Sequence, residues 1–166
     1  FESGAMDPWT TYGDMIEPEV VSSGAIEGSY CLHIVCTAKG ANSWDGGLQH
    51  AGHTFDNGKI YTFSAFLKSP EGLQINFKPE LAADPWTAYG SQVMIMTESW
   101  EQYYITTPAM TDTVNPATVT FHIAFDAGEF YVDDVQFYEG EFVPGTPSAV
   151  KSEDKLASTW GQIRAE

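Results

Sequence analysis

Positive charge is what this chain most lacks. Its 166 residues hold seven Lys and Arg against 23 Asp and Glu, a formal charge of −16, and the only arginine is Arg164. Such a surface repels phosphate backbones and anionic lipid, so nucleic acid and membranes are poor partners. Without an arginine the body cannot clamp a uronate or sulfate group through two parallel hydrogen bonds. No apolar run approaches the ~20 residues that a membrane helix needs. There is no start Met, basic n-region or signal peptide, so Phe1 is expected to be the cut edge of a larger or processed protein. Cysteine is also scarce. Cys31 and Cys36 stand five apart in one predicted strand, facing opposite sides about 16 Å apart at ~3.3 Å per residue, beyond disulfide reach. They are expected to be free thiols, and their number does not settle the compartment.

What is present is apolar and aromatic material. Hydrophobic residues make up 43% and aromatics 14% of the chain, far more than a disordered acidic chain carries, and the length suits one domain with a sizeable core. The charge marks a boundary. Residues 1–141 hold 20 acids and the four bases Lys39, Lys59, Lys68 and Lys78, so the whole −16 lies there, whereas 142–166 balance three against three. At the junction FVPGTPSAV has linker composition. A folded module over 1–141 is expected, followed by a Pro/Gly linker and a short amphipathic tail at 142–166. In the tail, Leu156, Trp160 and Ile163 would share one face of a helix started by Ser152, too short to be stable alone.

The body reads as all-β. Segments 30–37, 60–67, 73–78, 102–107, 117–125 and 129–138 are short, rich in β-branched and aromatic residues, and separated by Gly, Pro, Asn and Asp turns such as FDNGK. That spacing predicts an antiparallel β-sandwich, a jelly roll, rather than a doubly wound fold. Alternation then assigns faces. Leu73, Ile75 and Phe77 are expected inward with Gln74, Asn76 and Lys78 outward. Phe121, Ile123 and Phe125 are expected inward with Thr120, His122 and Ala124 outward. A face carrying amides, a lysine and a histidine suits a polar ligand.

One heptapeptide occurs nearly twice, Asp7-Pro8-Trp9-Thr10-Thr11-Tyr12-Gly13 and Asp84-Pro85-Trp86-Thr87-Ala88-Tyr89-Gly90. Both copies open on Asp-Pro and close on Gly, so both read as loops, and large aromatics on loops call for a reason. Trp44 sits in an equally loop-like stretch, whereas Trp100 leads into a strand and is expected to pack. Trp9 is expected to anchor its own loop. The C–H face of a sugar ring packs on an electron-rich aromatic face, while its hydroxyls need amide, carboxylate or histidine partners. Trp44, Trp86 and Tyr89 are the candidate stacking rings; Gln49, Gln74, Asn76 and His122 are the candidate hydroxyl partners. The expected ligand is an uncharged polysaccharide.

Ordered motifs along 1–141 carry a resemblance. Phe1-Glu2-Ser3-Gly4, Glu27-Gly28-Ser29-Tyr30-Cys31-Leu32, Asn42-Ser43-Trp44-Asp45, Thr97-Glu98-Ser99-Trp100 and Phe130-Tyr131-Val132-Asp133-Asp134-Val135 resemble carbohydrate-binding modules of families four, nine and twenty-two. That resemblance implies a calcium-containing β-jelly roll without catalytic activity. Such modules bind xylan- or β-glucan-type chains and are appended to glycoside hydrolases or other secreted proteins. It implies a structural Ca²⁺ at Glu2, Glu27 and Asp133, joined by backbone carbonyls near Gly28 to Tyr30. Hard Ca²⁺ takes six to eight oxygens, so the donor type agrees. Because neighbouring strand residues point opposite ways, Asp133 rather than Asp134 is expected to face the ion. The resemblance also places Trp44 and Trp86 on opposing sides of a cleft, with Tyr89 and His122 within it. Two departures remove polar contacts: Ser91 stands where relatives carry arginine, and Gly46 and Gly47 where an acid is expected.

Catalysis finds no comparable support. Acid pairs such as Glu98 with Glu101 exist on paper, but none sits in a motif, and neither a Gly-x-Ser-x-Gly elbow nor a phosphate loop occurs. His50 and His53 suggest zinc only weakly, with no cysteine nearby. The alternative is a calcium-stabilised structural or adhesive spacer that binds protein or nothing. Trp44 and Trp86 lying on one open groove would favour the sugar reading, and burial of both under their loops would favour the spacer. A monomer tethered in a larger extracellular protein is the expected setting.

Overall fold

The computed structural model describes residues 1–145; the predicted tail helix lies outside them. Two five-stranded antiparallel sheets face each other. The first has the order β1 (Thr10–Tyr12), β4 (Gly47–Phe55), β9 (Val114–His122), β6 (Gln74–Leu81), β7 (Gln92–Ile95). The second runs β2 (Ile16–Val21), β3 (Cys31–Cys36), β10 (Gly128–Glu139), β5 (Tyr61–Lys68), β8 (Glu101–Thr106). One turn of 3-10 helix, Ser43–Asp45, precedes β4. This is the sandwich that the strand pattern predicts.

The sheets are joined by alternate side chains packed between them. Phe63 of the second sheet meets Phe77 and Phe121 of the first with ring centroids 4.9 and 4.6 Å apart, and Phe77 meets Phe121 edge-on at 4.7 Å. Leu32, Ile34, Leu48, Ile75, Phe130 and Val132 complete the centre. Alternation fails where β9 ends. Ile123 is buried as expected, but Ala124 is buried rather than outward, and Phe125 is half-exposed rather than inward. Both lie beyond the strand, in a connection whose Ala124 N–H donates to Ser43 O at 3.1 Å. Cys31 and Cys36 are free and buried, and burial raises both thiols.

Four strands lie outside the segments read from composition: β1, β2, β4 and β7. β1, β2 and β7 lie at sheet edges, whereas β4 stands between β1 and β9. β2 carries Pro18, which an edge position tolerates because the missing N–H need not face a neighbour. The linker junction begins against the sheet: Phe142 stacks on Tyr104, and Gly145 N–H donates to Gln102 Oε1.

His50 and His53 are brought together by irregular register in β4 between Ala51 and His53. His50 Nδ1 and His53 Nε2 stand 2.6 Å apart, a hydrogen bond flanked by Trp9 on one side and Phe137 on the other. Two nitrogens on one tetrahedral zinc would stand about 3.3 Å apart, so the zinc reading gives way to a mutually bonded pair. Burial lowers the His53 pKa from 6.5, and His50 adds to the effect. The unfolded chain therefore takes up the proton more readily, and the neutral ring stabilises the fold above about pH 6.5. Thermal unfolding followed from about pH 7.5 to about 5.5 should show a falling Tm, with a smaller fall in His53→Gln.

Candidate functional site

β9 lies between β4 and β6, and its register fixes the outer face of the first sheet. His122 stands opposite Gly47 and Asn76, Thr120 opposite Gln49 and Lys78, and Thr118 opposite Ala51 and, on β6, Glu80. Tyr12 pairs with Gly47 and so joins the His122 row. Over this face opens a cavity of about 530 Å³ lined by Tyr12, Trp44, Gln49, Lys78, Glu80, Pro85, Trp86 and His122.

Two exposed tryptophans stand at its mouth, Trp44 at 58% and Trp86 at 54% relative exposure. Each is carried on a loop held by backbone bonds. The Trp44 turn is closed by Asn42 N–H donating to the Asp45 carboxylate at 2.8 Å, and tied to the end of β9 by Ile123 N–H to Gly46 O at 3.0 Å. The Trp86 loop is tied back by Leu81 N–H to Thr87 O and Tyr89 N–H to Pro79 O, at 2.9 and 2.8 Å.

The floor is polar and internally neutralised. Glu80 is 5% exposed, with Oε2 3.0 Å from Lys78 Nζ and Oε1 3.6 Å from His122 Nε2. Burial raises the Glu80 carboxyl, but Lys78 and His122 outweigh it and the net displacement is downward. Burial and the nearby Glu80 charge raise Tyr12 far above its ordinary range, so its hydroxyl stays protonated and can donate.

The candidate residues divide. Trp44, Trp86, Gln49 and His122 share the cavity. Asn76 is buried beside His122 but its amide is spent on Ser91, with mutual bonds of 3.1 and 3.2 Å. Gln74 lies further along β6, exposed and outside the cavity lining. Tyr89 packs edge-on against Phe55, 6.1 Å away, against the core. Tyr12, Lys78, Glu80 and Pro85 complete the lining.

Tyr12 was the residue that the repeat could have revealed. The two copies place their rings oppositely. In the first, Trp9 packs against Phe121 at 5.9 Å and against His50, while Tyr12 enters the cavity; in the second, Trp86 enters and Tyr89 packs inward. The cause is local backbone. Thr10 to Tyr12 form a strand, so Tyr12 must share the face of its partner Gly47, and Trp9 falls on the other side. The second copy is held outside any strand, with Trp86 at φ 56°. Gly47 is required here, because a Cβ would meet the Tyr12 ring and the Phe121 carbonyl.

A second, smaller cavity of about 170 Å³ is lined by Phe1, Glu2, Trp9, Glu27, Asp133, Asp134 and Val135. It gathers Glu2, Glu27 and Asp133 from three distant segments. Glu2 accepts Ser29 N–H and Tyr30 N–H at 2.8 and 3.0 Å, so this loop presents N–H groups to the acid. Asp133 accepts Ile26 and Glu27 N–H on Oδ2 and Asp134 N–H on Oδ1. Burial pushes its carboxyl up against the pull of those bonds. Contrary to strict alternation, Asp134 lines the same cavity, because a bulge at Asp133 to Gln136 interrupts the strand and turns Asp134 to φ 42°. Among the described residues no three His, Cys, Asp or Glu side chains form a ready metal-holding group.

Residues 1–128 match the carbohydrate binding domain family CBM_4_9. The chain belongs to this family. It is a non-catalytic module that binds polysaccharide. A search of curated proteins found no match. Among solved structures it resembles a family 4 module (CBM4) at TM-score 0.66 and 23% identity, over 80% of this chain and 86% of that one. It also resembles the CBM22-1 xylan-binding domain of Paenibacillus barcinonensis Xyn10C at 0.64 and 14%, over 86% and 92%. The N-terminal cellulose-binding domain of Cellulomonas fimi β-1,4-glucanase C matches at 0.59 and 16%, over 81% and 90%. These likenesses support the sandwich fold. No helix among the described residues is long and apolar enough to cross a membrane.

The opposed placement of the repeat rings has a direct consequence for the module. Trp9→Ala should lower unfolding stability by about 2–4 kcal/mol, because it empties packing against Phe121 and His50. Trp86→Ala should change it by less than about 1 kcal/mol. Urea unfolding of both variants measures the difference.

Proposed function

We propose that the module holds an uncharged polysaccharide of the β-glucan or xylan type in the Trp44–Trp86 cleft. The observation that carries this is the exposure of both rings over one polar floor. A sugar ring can lie against either indole while its hydroxyls reach Gln49, Glu80, His122 and the Tyr12 hydroxyl. The one cation in the cavity, Lys78, is already paired with Glu80, which disfavours an anionic chain. Burial of both tryptophans, which would have favoured the spacer alternative, is not the arrangement found.

Extracellular placement, within a larger polysaccharide-degrading protein, follows from the same reading. Tethering would make modest affinity per site effective by raising local concentration. A structural Ca²⁺ belongs to the proposal as well. The smaller cavity offers an all-oxygen donor set suited to a hard cation, and oxygens of Glu2 and Asp133 that accept one N–H keep lone pairs for another partner. Glu27 or Asp134 would turn toward the ion to complete the set.

Affinity electrophoresis through xylan, mixed-linkage β-glucan, laminarin, mannan and alginate tests the cleft. Retardation by a neutral glycan is expected, weakened about tenfold or more by Trp44→Ala and by Trp86→Ala. No retardation in any gel would favour the spacer.

Calcium has its own test. Saturating Ca²⁺ should raise Tm by roughly 5–10 °C over a chelated sample, and Asp133→Asn should remove the difference. An unchanged Tm rejects the ion.

A further inference from the structure

Among the described residues six large hydrophobic side chains stand exposed: Trp44, Trp86, Val93, Ile95, Tyr104 and Val143. The first two stand over the outer face of the first sheet. Val93 and Ile95 lie on that same face, at its β7 edge. Val93 pairs with Asn76, which pairs with His122, and Ile95 pairs with Gln74. Residues directly opposite in antiparallel strands project to one side, so the floor runs without interruption from His122 through Asn76 to Val93. Two strand spacings, about 10 Å, separate β9 from β7.

This end of the face differs chemically from the rest. Val93 is 51% and Ile95 64% exposed, and neither offers a hydrogen bond. A bare sugar laid over them would bury hydroxyls without partners, which costs more than the apolar contact returns. An ester-linked acyl group reverses that balance. Its methyl can cover the two aliphatic side chains, and its carbonyl can accept from the exposed Gln74 amide, which stands opposite Ile95 on the same face.

The charge of the chain narrows the occupant. A second copy would bring another −16 against the first, and anionic lipid is repelled likewise. An acyl group on a neutral glycan brings no charge and reaches the strip while its chain lies in the adjoining cleft. We propose that Val93 and Ile95 form an aliphatic subsite for the acyl substituent of an O-acetylated neutral glycan. This rests on the glycan reading of the Trp44–Trp86 cleft.

The test uses the full chain with native O-acetylated xylan and with the same xylan after alkaline deacetylation, read by titration calorimetry. The wild type should bind the acetylated polymer about fivefold or more tightly than the deacetylated one. The Val93→Thr/Ile95→Thr double variant, folded by circular dichroism, should bind both polymers as the wild type binds the deacetylated one. Equal wild-type affinity for both, or a preference surviving in the double variant, overturns the subsite while Trp86-dependent binding leaves the cleft standing. Binding to neither xylan also overturns the subsite, and the cleft reading then fails as well if no other neutral glycan binds. A wild-type dimer in sedimentation that the double variant dissolves assigns the strip to a second copy, and overturns the proposal too.

Discussion

Both faces of the first sheet depend on how Phe121 is packed. Its ring lies between Phe63, Phe77 and Trp9, and so ties the two sheets to each other and to the loop before β1. With that ring fixed inward, pleating leaves Thr120 and His122 no choice but the outer face. A slip of one residue in β9 would bury the histidine in the core and expose the phenylalanine. The core and the ligand floor are therefore one constraint seen from two sides. Burial of the large apolar ring sets the register, and the register places the polar groups that face the cavity.

That floor would be costly if its charges were unmatched. Glu80 and His122 are almost fully buried, and an isolated carboxylate there would protonate or recruit a counterion. Lys78, two residues along the same strand face, supplies the partner. The contacts leave the floor near neutrality while keeping lone pairs and N–H groups directed at the cavity. Such a surface would discriminate by hydrogen-bond geometry rather than by charge, which agrees with the proposed hydroxyl-rich neutral ligand. It also locates the missing arginine. Ser91 takes up the Asn76 amide where a guanidinium would otherwise stand in the resemblance, so the β6–β7 side of the face is less polar than the β4–β9 side.

Most strands lying between two neighbours were legible from their apolar and aromatic residues: β3, β5, β6, β9 and β10 all fall within or beside the segments read from composition. Of the edge strands only β8 was legible, since the side chains of β1, β2 and β7 carry little of the core. β4 was missed although it is paired on both sides, because GLQHAGHTF holds two glycines, two histidines and few large apolar residues. At the site, Trp44 and Trp86 could be read because an exposed tryptophan on a loop is unusual, and His122 because it alternates with phenylalanine. Tyr89 and Tyr12 could not be told apart. They occupy the same position in a repeated heptapeptide, and what separates them is that one copy pairs with β4 while the other does not. Pairing is a long-range event, and seven identical or nearly identical residues carry no record of it. Gln74 and Asn76 were placed on the correct face, yet facing outward is not the same as facing the cavity.

If the proposed cleft holds a glycan, rigidity of the two aromatic loops sets how much of the stacking energy becomes affinity. An exposed indole on a mobile loop would lose much of its gain to ordering on binding. Here the Trp44 turn is bonded to the connection after β9, and the Trp86 loop to β6, so both rings are positioned by the same two strands that carry His122 and Glu80. Each ring therefore reports the position of the floor beneath it. The spacing between the two indoles is fixed by the sheet rather than by the loops, so under the proposed function a glycan would be selected by whether its repeat brings a ring face to each indole while its hydroxyls meet the floor. Loop substitutions that keep these backbone bonds should alter ring identity without altering that spacing, so specificity can change while the sandwich does not.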